Sequence, residues 1–436
     1  MSKVLYITVA IMLTMSSAQA LQAKRASEFL DSICVNTKRQ QGQNLERVTA
    51  AVQYIGARCI RENAGASTAD LLAMHLGTGA RINLISGSRP QPGFLTLLTK
   101  ARELASAGAL LSVEGPNEPN NFAVTYDGET CGTGTTSWRC VAKLQRDLFS
   151  AWNSDHMLRD YPVIGVSEVG AEGSNAGLQW NKIPNSATGT DLPPGTVYSD
   201  IANVHNYACC YHLNGHTLTQ DNVAWRAAAL TQSPPFGGSW YNQHVKTWRR
   251  KYAGYTQVQS AGVPKVSTET GWRTDGTPEG DDLQARMIAN IYLANFAQGW
   301  RQTFMYEAQD HSETGWGLYR AGAVWGPRPS ADAMHRLTAW LQDSDNVFSP
   351  AGANIVFPNS SPYVHAVLLQ KSTGEFELIV WGEKASGTVN QEIQLGAMYS
   401  RVRVYDPVTD AIEYDSATSS VTLTLGLGLK VIEFGN

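Results

Sequence analysis

Short apolar runs alternate with longer helical stretches from about residue 30 to residue 345, and this alternation restricts the possible folds most strongly. Strands that alternate with helices form parallel sheets, because each helix returns the chain to the same end of the sheet. Eight such runs occur, as in a closed (β/α)₈ barrel. They are Ser32–Asn36, Arg58–Arg61, Ala80–Ser86, Leu110–Glu114, Pro162–Ser167, Ile201–Tyr207, Lys265–Glu269 and Gln302–Tyr306.

The segments between these runs favour helices. A doubly wound open sheet is the alternative α/β fold, but it usually carries a Gly-rich phosphate loop after an early strand, and neither G-x-G-x-x-G nor a Walker sequence is present. We therefore predict a (β/α)₈ barrel. The main predicted helices are Leu45–Ile55, Pro92–Ala107, Ser137–Asp155, Gln243–Ala261 and Asp281–Gly299.

The pattern changes after Asp345, where β-type runs follow one another without a long helix. Alternation in Val421–Leu425 gives one apolar face, which is typical of a strand with one side buried. We predict a C-terminal antiparallel β-sandwich over residues 348–436, packed on a barrel over residues 21–347. The runs are Tyr363–Gln370, Glu375–Trp381, Arg401–Tyr405, Val421–Leu425 and Lys430–Phe434.

Residues 1–20 resemble a secretory signal. Lys3 precedes an apolar run from Val4 to Met15, and Ala18-Gln19-Ala20 forms an A-x-A cleavage site. The run is too short to span a bilayer, and no other stretch reaches that length. We predict a mature chain without a membrane span that is secreted or periplasmic.

All six cysteines follow the predicted signal, and an even number in an exported chain permits disulfides. Cys131 and Cys140 bracket a short Gly/Thr-rich segment, so we predict a disulfide between them. Cys34 and Cys59 fall on the first two strands, where a bridge and free thiols are equally compatible with the sequence. Cys209-Cys210 permits a vicinal disulfide or bonds elsewhere. A zinc site of these two with His212 and His216 is disfavoured, because the spacing lacks Cys-x-x-Cys.

A formal net charge of −4 offers no basic surface, so we expect no nucleic-acid partner. A charged fraction of 17%, below the usual quarter, and the plentiful Leu, Val and Ile argue against intrinsic disorder. Twelve tryptophans fit either a large core or a cleft that binds sugar rings. We expect a monomer.

Polar and aromatic residues gather where the predicted strands end, which is the face that carries active sites in barrels of this kind. Glu118 follows the fourth strand and Glu269 ends the seventh, so the two carboxylates can meet across the barrel mouth. Such a pair is what glycoside hydrolysis needs. A separation of about 5–5.5 Å leads to retention of anomeric configuration, and about 6.5–9.5 Å to inversion. Glu114, Glu168 and Glu307 also lie near strand ends and are supporting carboxylates in this interpretation.

Three motifs resemble the retaining (β/α)₈ glycosidases of clan A. They are Asn117-Glu118-Pro119, His205-x-Tyr207 and Glu269-Thr270-Gly271-Trp272, in that order and each at its expected strand. Chain length and the C-terminal β region resemble the family 39-type enzymes, including secreted bacterial glycosidases.

The resemblance implies that Glu118 is the general acid/base and Glu269 the nucleophile, with no metal and no organic cofactor. It implies that Asn117 binds the sugar 2-hydroxyl and that Arg61 keeps Glu269 ionised. Tyr306 stands where the clan often has Trp. The remaining predicted substrate contacts are Asn36, His205, Tyr207, Trp272, Tyr306 and Trp316.

The sequence therefore predicts a secreted retaining glycosidase that cuts β-linked polysaccharides or oligosaccharides, with endo action favoured by analogy. A non-catalytic carbohydrate-binding protein and a transglycosylase are the alternatives. A serine hydrolase is disfavoured because Gly-x-Ser-x-Gly is absent.

Overall fold

A computed structural model describes residues 21–133, 135, 137–167, 181–183, 190–208, 218, 220–228, 262–343 and 347–435 of the chain. The predicted signal, helix Gln243–Ala261 and the Cys209-Cys210 pair lie outside these residues, as do Glu168, His212 and His216. None of the described helices is long and apolar enough to cross a membrane.

The eight predicted strands all form and join one parallel sheet. They are β1 Ile33–Asn36, β2 Cys59–Asn63, β3 Arg81–Ile85, β4 Leu110–Glu114, β5 Val163–Ile164, β6 Ala202–Asn203, β7 Lys265–Thr270 and β8 Thr303–Met305.

The hydrogen-bonded strand order is β6-β7-β8-β1-β2-β3-β4-β5. The remaining seam, between β5 and β6, carries one parallel bridge from Ile164 to Ile201. The sheet thus curls into a nearly closed eight-stranded barrel, which confirms the predicted fold class and brings the carboxyl ends of all eight strands to one mouth.

The described helices lie between the strands and around the barrel. They are α1 Ala26–Asp31, α2 Leu45–Ile55, α3 Thr68–Thr78, α4 Leu95–Ser106, α5 Arg139–Asn153, α6 Val223–Ala228, α7 Pro278–Ala297 and α8 Pro329–Trp340.

Helix α2 shows how the sequence sets its own bounds. The Asn44 side chain accepts a hydrogen bond from the Arg47 amide at the N-terminus, and Gly56 adopts a left-handed conformation at the C-terminus. The buried residues recur at helical spacing and face the barrel. They are Val48, Ala51, Val52 and Ile55.

A second, mostly antiparallel sheet follows the barrel. Its C-terminal strands are β9 Val364–Gln370, β10 Phe376–Glu383, β11 Val389–Asp406, β12 Ala411–Leu425 and β13 Leu427–Phe434. The strand order is β12-β11-β13-β10-β9, and Lys24–Arg25 adds a sixth, parallel strand beside β9. The sequence did not indicate that Lys24–Arg25 joins this sheet. The boundary at residues 347 and 348 stays a prediction.

Strand β10 shows why this sheet packs on the barrel. Ile379 and Trp381 belong to the main core shared with the barrel helices, whereas Leu378 and Val380 belong to a second core inside the C-terminal region. Side chains alternate between the two faces of a strand, so each face is buried in a different core. The Asn290 amide of α7 also donates to the Gly382 carbonyl at 2.9 Å.

Two disulfides occur within the described residues. Cys131–Cys140 confirms the predicted bridge, and Cys34–Cys59 resolves the open alternative in favour of a bridge. Cys34 and Cys59 are register partners on β1 and β2, with their Cα atoms 4.6 Å apart, so the bond ties two neighbouring barrel strands.

Replacing both Cys34 and Cys59 by Ala should lower the free energy of unfolding by about 3 kcal/mol, because the bridge closes a loop of 25 residues in the unfolded chain. The matched Cys131→Ala/Cys140→Ala variant opens a loop of 9 residues and should cost about 1 kcal/mol less. Urea unfolding followed by fluorescence measures both. Equal stability of all three proteins would contradict this assignment.

Candidate active site

Arg61 is the central side chain of the barrel mouth. It lies in the buried part of β2 and is 3% exposed. Its Nε and Nη2 donate to both oxygens of Glu114 at 2.7 and 2.8 Å, and its Nη1 donates to Glu269 Oε2 at 3.1 Å. The guanidinium thus joins β2 to the ends of β4 and β7 in fixed geometry.

Arg61 also holds two side-chain amides, Asn36 and Asn117, whose Oδ1 atoms accept from it at 3.0 and 2.7 Å. Asn36 donates its own amide to three backbone carbonyls, at Thr268, Phe304 and Met305. Its polar atoms are therefore engaged by the barrel itself, and it contacts the mouth through Arg61.

The charge state of Arg61 follows from these partners. Burial by itself would lower the pKa of Arg61, but the charge and hydrogen bonds of Glu114, together with Glu269, raise it. Burial of Glu114 is likewise outweighed by Arg61, so the pKa of Glu114 lies below its usual range. The pair is ionised, as a buried pair with good geometry should be.

Glu114 is fully buried, and its carboxylate accepts from further donors around the barrel axis. Asn83 Nδ2 donates at 2.8 Å, Asn203 Nδ2 at 3.2 Å and Thr268 Oγ1 at 3.0 Å. The sequence placed Glu114 only among supporting carboxylates and gave no signal for Asn83 or Asn203, because their shared partner lies inside the barrel.

Glu269, at the end of β7, is held on both carboxylate oxygens. Arg61 binds Oε2, and the Tyr207 hydroxyl donates to Oε1 at 2.6 Å. Burial and the neighbouring Glu269 charge raise the pKa of Tyr207 well above its usual value, so the phenol keeps its proton and remains a donor. The fold requires glycine at position 271, because a Cβ there would lie 2.6 Å from the Tyr306 carbonyl oxygen.

Glu118 lies in the loop after β4 with a backbone φ of 42°, a left-handed conformation that is strained for a residue with a side chain. His205 Nδ1 lies 2.6 Å from its Oε1, and Asn121 Nδ2 donates to its Oε2 at 2.9 Å. Burial raises the pKa of Glu118, but the hydrogen bond and charge of His205 outweigh burial, so the pKa is lower than usual.

Glu118 and Glu269 face each other. One carboxylate oxygen of each, with a ring nitrogen of His205, lies within 4.8 Å of the others. Such a cluster also has the donor types of a metal site, but His205 Nδ1 and the carboxylates already bond to one another or to Arg61 and Tyr207. The two carboxylates are therefore close enough to act on the same atoms of a bound molecule.

Aromatic rings border the Glu269 side of the mouth. Trp316 packs edge-on against Tyr207 and Tyr306, with ring centroids 5.3 and 5.8 Å apart. The Lys38 ammonium lies 4.9 Å from the Tyr306 ring centroid. Trp272 is 4% exposed and packs in the main core. The structure thus brings together Tyr207, Tyr306 and Trp316, whereas Trp272 lies beside the mouth.

The fold and mouth define a class of protein: an eight-stranded α/β barrel with two opposed carboxylates and a second β-rich region. No protein-family model matches the sequence, and comparison with curated proteins gives no match either.

Comparison with solved structures gives similar folds. A family 39 glycoside hydrolase from Bacteroides cellulosilyticus WH2 matches with a TM-score of 0.55 and 14% identity, covering 94% of this chain and 82% of that one. A GH30 endoxylanase from Clostridium papyrosolvens C71 gives 0.52 and 12%, covering 96% and 98%. A GH51 arabinofuranosidase from Xanthomonas axonopodis pv. citri gives 0.53 and 10%, covering 95% and 98%. At these identities the likeness establishes the fold, an eight-stranded α/β barrel with a second β-rich region, and that is the fold the sequence predicts.

Replacing Arg61 by Met should destabilise the protein by about 3–5 kcal/mol, because Glu114 is left as an unpaired buried charge. The Arg61→Met/Glu114→Gln double variant removes that charge and should recover a large part of the loss. Chemical denaturation measures the series.

Arg139→Met provides the control, since Arg139 and its partner Glu129 are 53% and 48% exposed and the change should cost below about 1 kcal/mol. A double variant less stable than Arg61→Met would contradict the assignment.

Glu307, which follows Tyr306, should make stability fall as pH rises. Burial raises its pKa to about 8, and its Oε2 has no hydrogen-bond partner among the residues that the structure describes. Between the usual value of 4.5 and about 8 the folded state binds a proton that the unfolded state has lost, so raising the pH through this window favours unfolding. Glu307→Gln mimics the protonated form. Its melting temperature should equal that of the parent at pH 5 and exceed it at pH 9. Identical melting curves at pH 9 would contradict this assignment.

Proposed function

We propose that this protein is a retaining glycoside hydrolase acting on β-linked polysaccharides or oligosaccharides. One observation carries the proposal: Glu118 and Glu269 approach within 4.8 Å at the carboxyl end of a (β/α)₈ barrel. This close approach of the nearest carboxylate oxygens favours the roughly 5–5.5 Å separation of retaining enzymes over the roughly 6.5–9.5 Å of inverting ones.

In this proposal Glu269 is the nucleophile. Arg61 and Tyr207 each bind one of its oxygens and hold the carboxylate oriented, so that it can attack the anomeric carbon of a sugar in the mouth. Glu118 gives a proton to the leaving oxygen, and a glycosyl–enzyme ester forms on Glu269. Glu118 then takes a proton from a water whose oxygen bonds to the anomeric carbon, and the bond from that carbon to Glu269 breaks and releases the sugar.

Neighbouring side chains have supporting roles. Asn117, fixed through its Oδ1 by Arg61, has its amide nitrogen available to bind the sugar 2-hydroxyl, as the resemblance implies. Asn36 is assigned to holding Arg61 rather than sugar, since its amide is used by backbone carbonyls. Tyr306 and Trp316 form an aromatic wall beside Glu269, where a sugar ring can pack.

Cleavage inside a polymer is the proposed mode. Two of the similar folds are an endoxylanase and an endo-β-1,6-glucanase, the latter with a TM-score of 0.50 and 8% identity.

Export is also part of the proposal, and the two disulfides agree with an oxidising compartment. Sizing of products from a panel of β-linked polysaccharides tests the first point, and N-terminal sequencing of the exported protein tests cleavage after Ala20.

Glu269→Ala should reduce kcat by about 10⁴-fold or more on any substrate that the panel identifies, because the nucleophile is lost. Glu118→Ala should lose most of its activity on substrates with poor leaving groups. Azide should restore part of that activity, because it replaces the attacking water and needs no general base. Glu279→Ala, at an exposed carboxylate on α7, serves as the control and should keep full activity.

Trapping with a 2-deoxy-2-fluoro glycoside distinguishes catalysis from sugar binding alone. We expect the intact mass to rise by one fluoro-sugar, with the label on Glu269 after digestion. A protein that hydrolyses its substrate while Glu269→Ala remains fully active would overturn the proposed function.

A further inference from the structure

Both carboxylate oxygens of Glu118 are engaged in the free protein. Oε1 lies 2.6 Å from His205 Nδ1, and Oε2 accepts from Asn121 Nδ2 at 2.9 Å. A carboxylic acid that protonates a glycosidic oxygen must direct its own O–H at that oxygen. The proton occupies one lone pair of the oxygen that carries it and makes that oxygen a weaker acceptor, so the hydrogen bond held at that oxygen is weakened when a sugar binds.

The two partners differ in how firmly they are fixed. His205 is 1% exposed at the end of β6, and its Nε2 lies 3.2 Å from Thr268 Oγ1, so its ring is held at both nitrogens. Asn121 is exposed, and among the described residues its side-chain amide bonds to Glu118 Oε2 alone, while its backbone amide donates to the Glu118 carbonyl at 2.8 Å. The Asn121 side chain can rotate away at little cost, whereas the His205 ring cannot.

The charges around Glu118 come from three strands. His205 on β6 and the Arg61 cation on β2 favour the carboxylate, and the Glu269 carboxylate on β7 opposes it from within 4.8 Å. Tyr207 stays a neutral phenol bound to Glu269. Against burial, His205, Asn121 and Arg61 together place the pKa of Glu118 below its usual range. The free protein thus holds Glu118 without the proton that an acid needs.

We infer that Asn121 is a positioning residue that holds Glu118 as an oriented carboxylate in the free protein and yields Oε2 to the glycosidic oxygen of a bound sugar. The inference rests on the proposed function. When the sugar displaces the Asn121 amide and excludes water, Glu118 remains beside the Glu269 charge, which favours its protonated form. Glu118 therefore takes one proton from solvent. That proton moves to the leaving oxygen as the C–O bond breaks and the Glu269 oxygen bonds to the anomeric carbon. The attacking water later returns one proton to Glu118.

The first test needs no substrate. The protein is labelled with [δ-¹³C]glutamate, and the Glu118 signal is assigned by its loss in Glu118→Gln. We expect Asn121→Ala to raise the titration midpoint of Glu118 by about one pH unit, because a donor to the charged form is removed. Asn121→Asp should raise it further, since it replaces the donor by a negative charge of the same shape.

Asn153→Ala is the matched control. Asn153 is also exposed, but its amide donates to the Phe149 carbonyl within α5, away from the mouth. In the Asn153→Ala variant the titration midpoint of Glu118 should equal that of the parent. Unchanged midpoints in both Asn121 variants, with melting temperatures equal to the parent, would overturn the inference whether or not the protein hydrolyses sugars.

The second test uses a glycoside that the panel shows to be hydrolysed. With a phenyl leaving group, which needs a proton, the basic limb of the kcat/KM profile should move upward in Asn121→Ala by the shift seen in the titration. With a 2,4-dinitrophenyl leaving group, which departs without a proton, the limb should not move. Equal shifts with both leaving groups would show that Asn121 does not act through Glu118 and would overturn the inference. Absence of any hydrolysis contradicts the proposed function and leaves the titration result standing.

Discussion

The buried Arg61 guanidinium is the interaction on which the rest of the barrel mouth depends. It binds Glu114 through two parallel hydrogen bonds, and the same planar group contacts Glu269, Asn36 and Asn117. A charge in the barrel interior is tolerated only with partners of good geometry. The side chains that stabilise the barrel and the side chains that hold the nucleophile in the proposed mechanism are therefore one network, so the stability of the barrel and the geometry of the mouth are linked.

The two facing carboxylates have different surroundings, and this difference separates their proposed roles. Glu269 is held by a cation on one carboxylate oxygen and a phenol on the other. Glu118 is held by an imidazole and an exposed amide, one fixed and one able to move. Pairs of carboxyl groups in unlike environments are the usual basis of acid and nucleophile assignments. Here the distinction comes from what each group contacts, since both are glutamates at strand ends.

Most of the barrel followed from the sequence. The eight strand positions and helix α2 were predicted within a few residues, because apolar runs and end signals such as Asn44 and Gly56 are local features. Pairing of Lys24–Arg25 with the C-terminal sheet was not predicted. A two-residue strand has no readable periodicity, and its partner at Leu369–Gln370 lies at the other end of the chain. The open choice at Cys34 and Cys59 was likewise decided only by the register of β1 and β2.

By itself the sequence determined which residues stand at the strand ends, and so which side chains share the mouth: Glu118, Glu269, Arg61, His205 and Tyr207. It did so because strand position and side-chain type are properties of short segments. Only the tertiary structure decided the hydrogen-bond partners. Arg61 pairs with Glu114 rather than with its neighbour Glu62, Asn36 donates to backbone carbonyls of the barrel strands, and Asn121 donates to Glu118. Barrel closure brings distant segments to within hydrogen-bond distance, and no local pattern encodes which buried donor will face which buried acceptor.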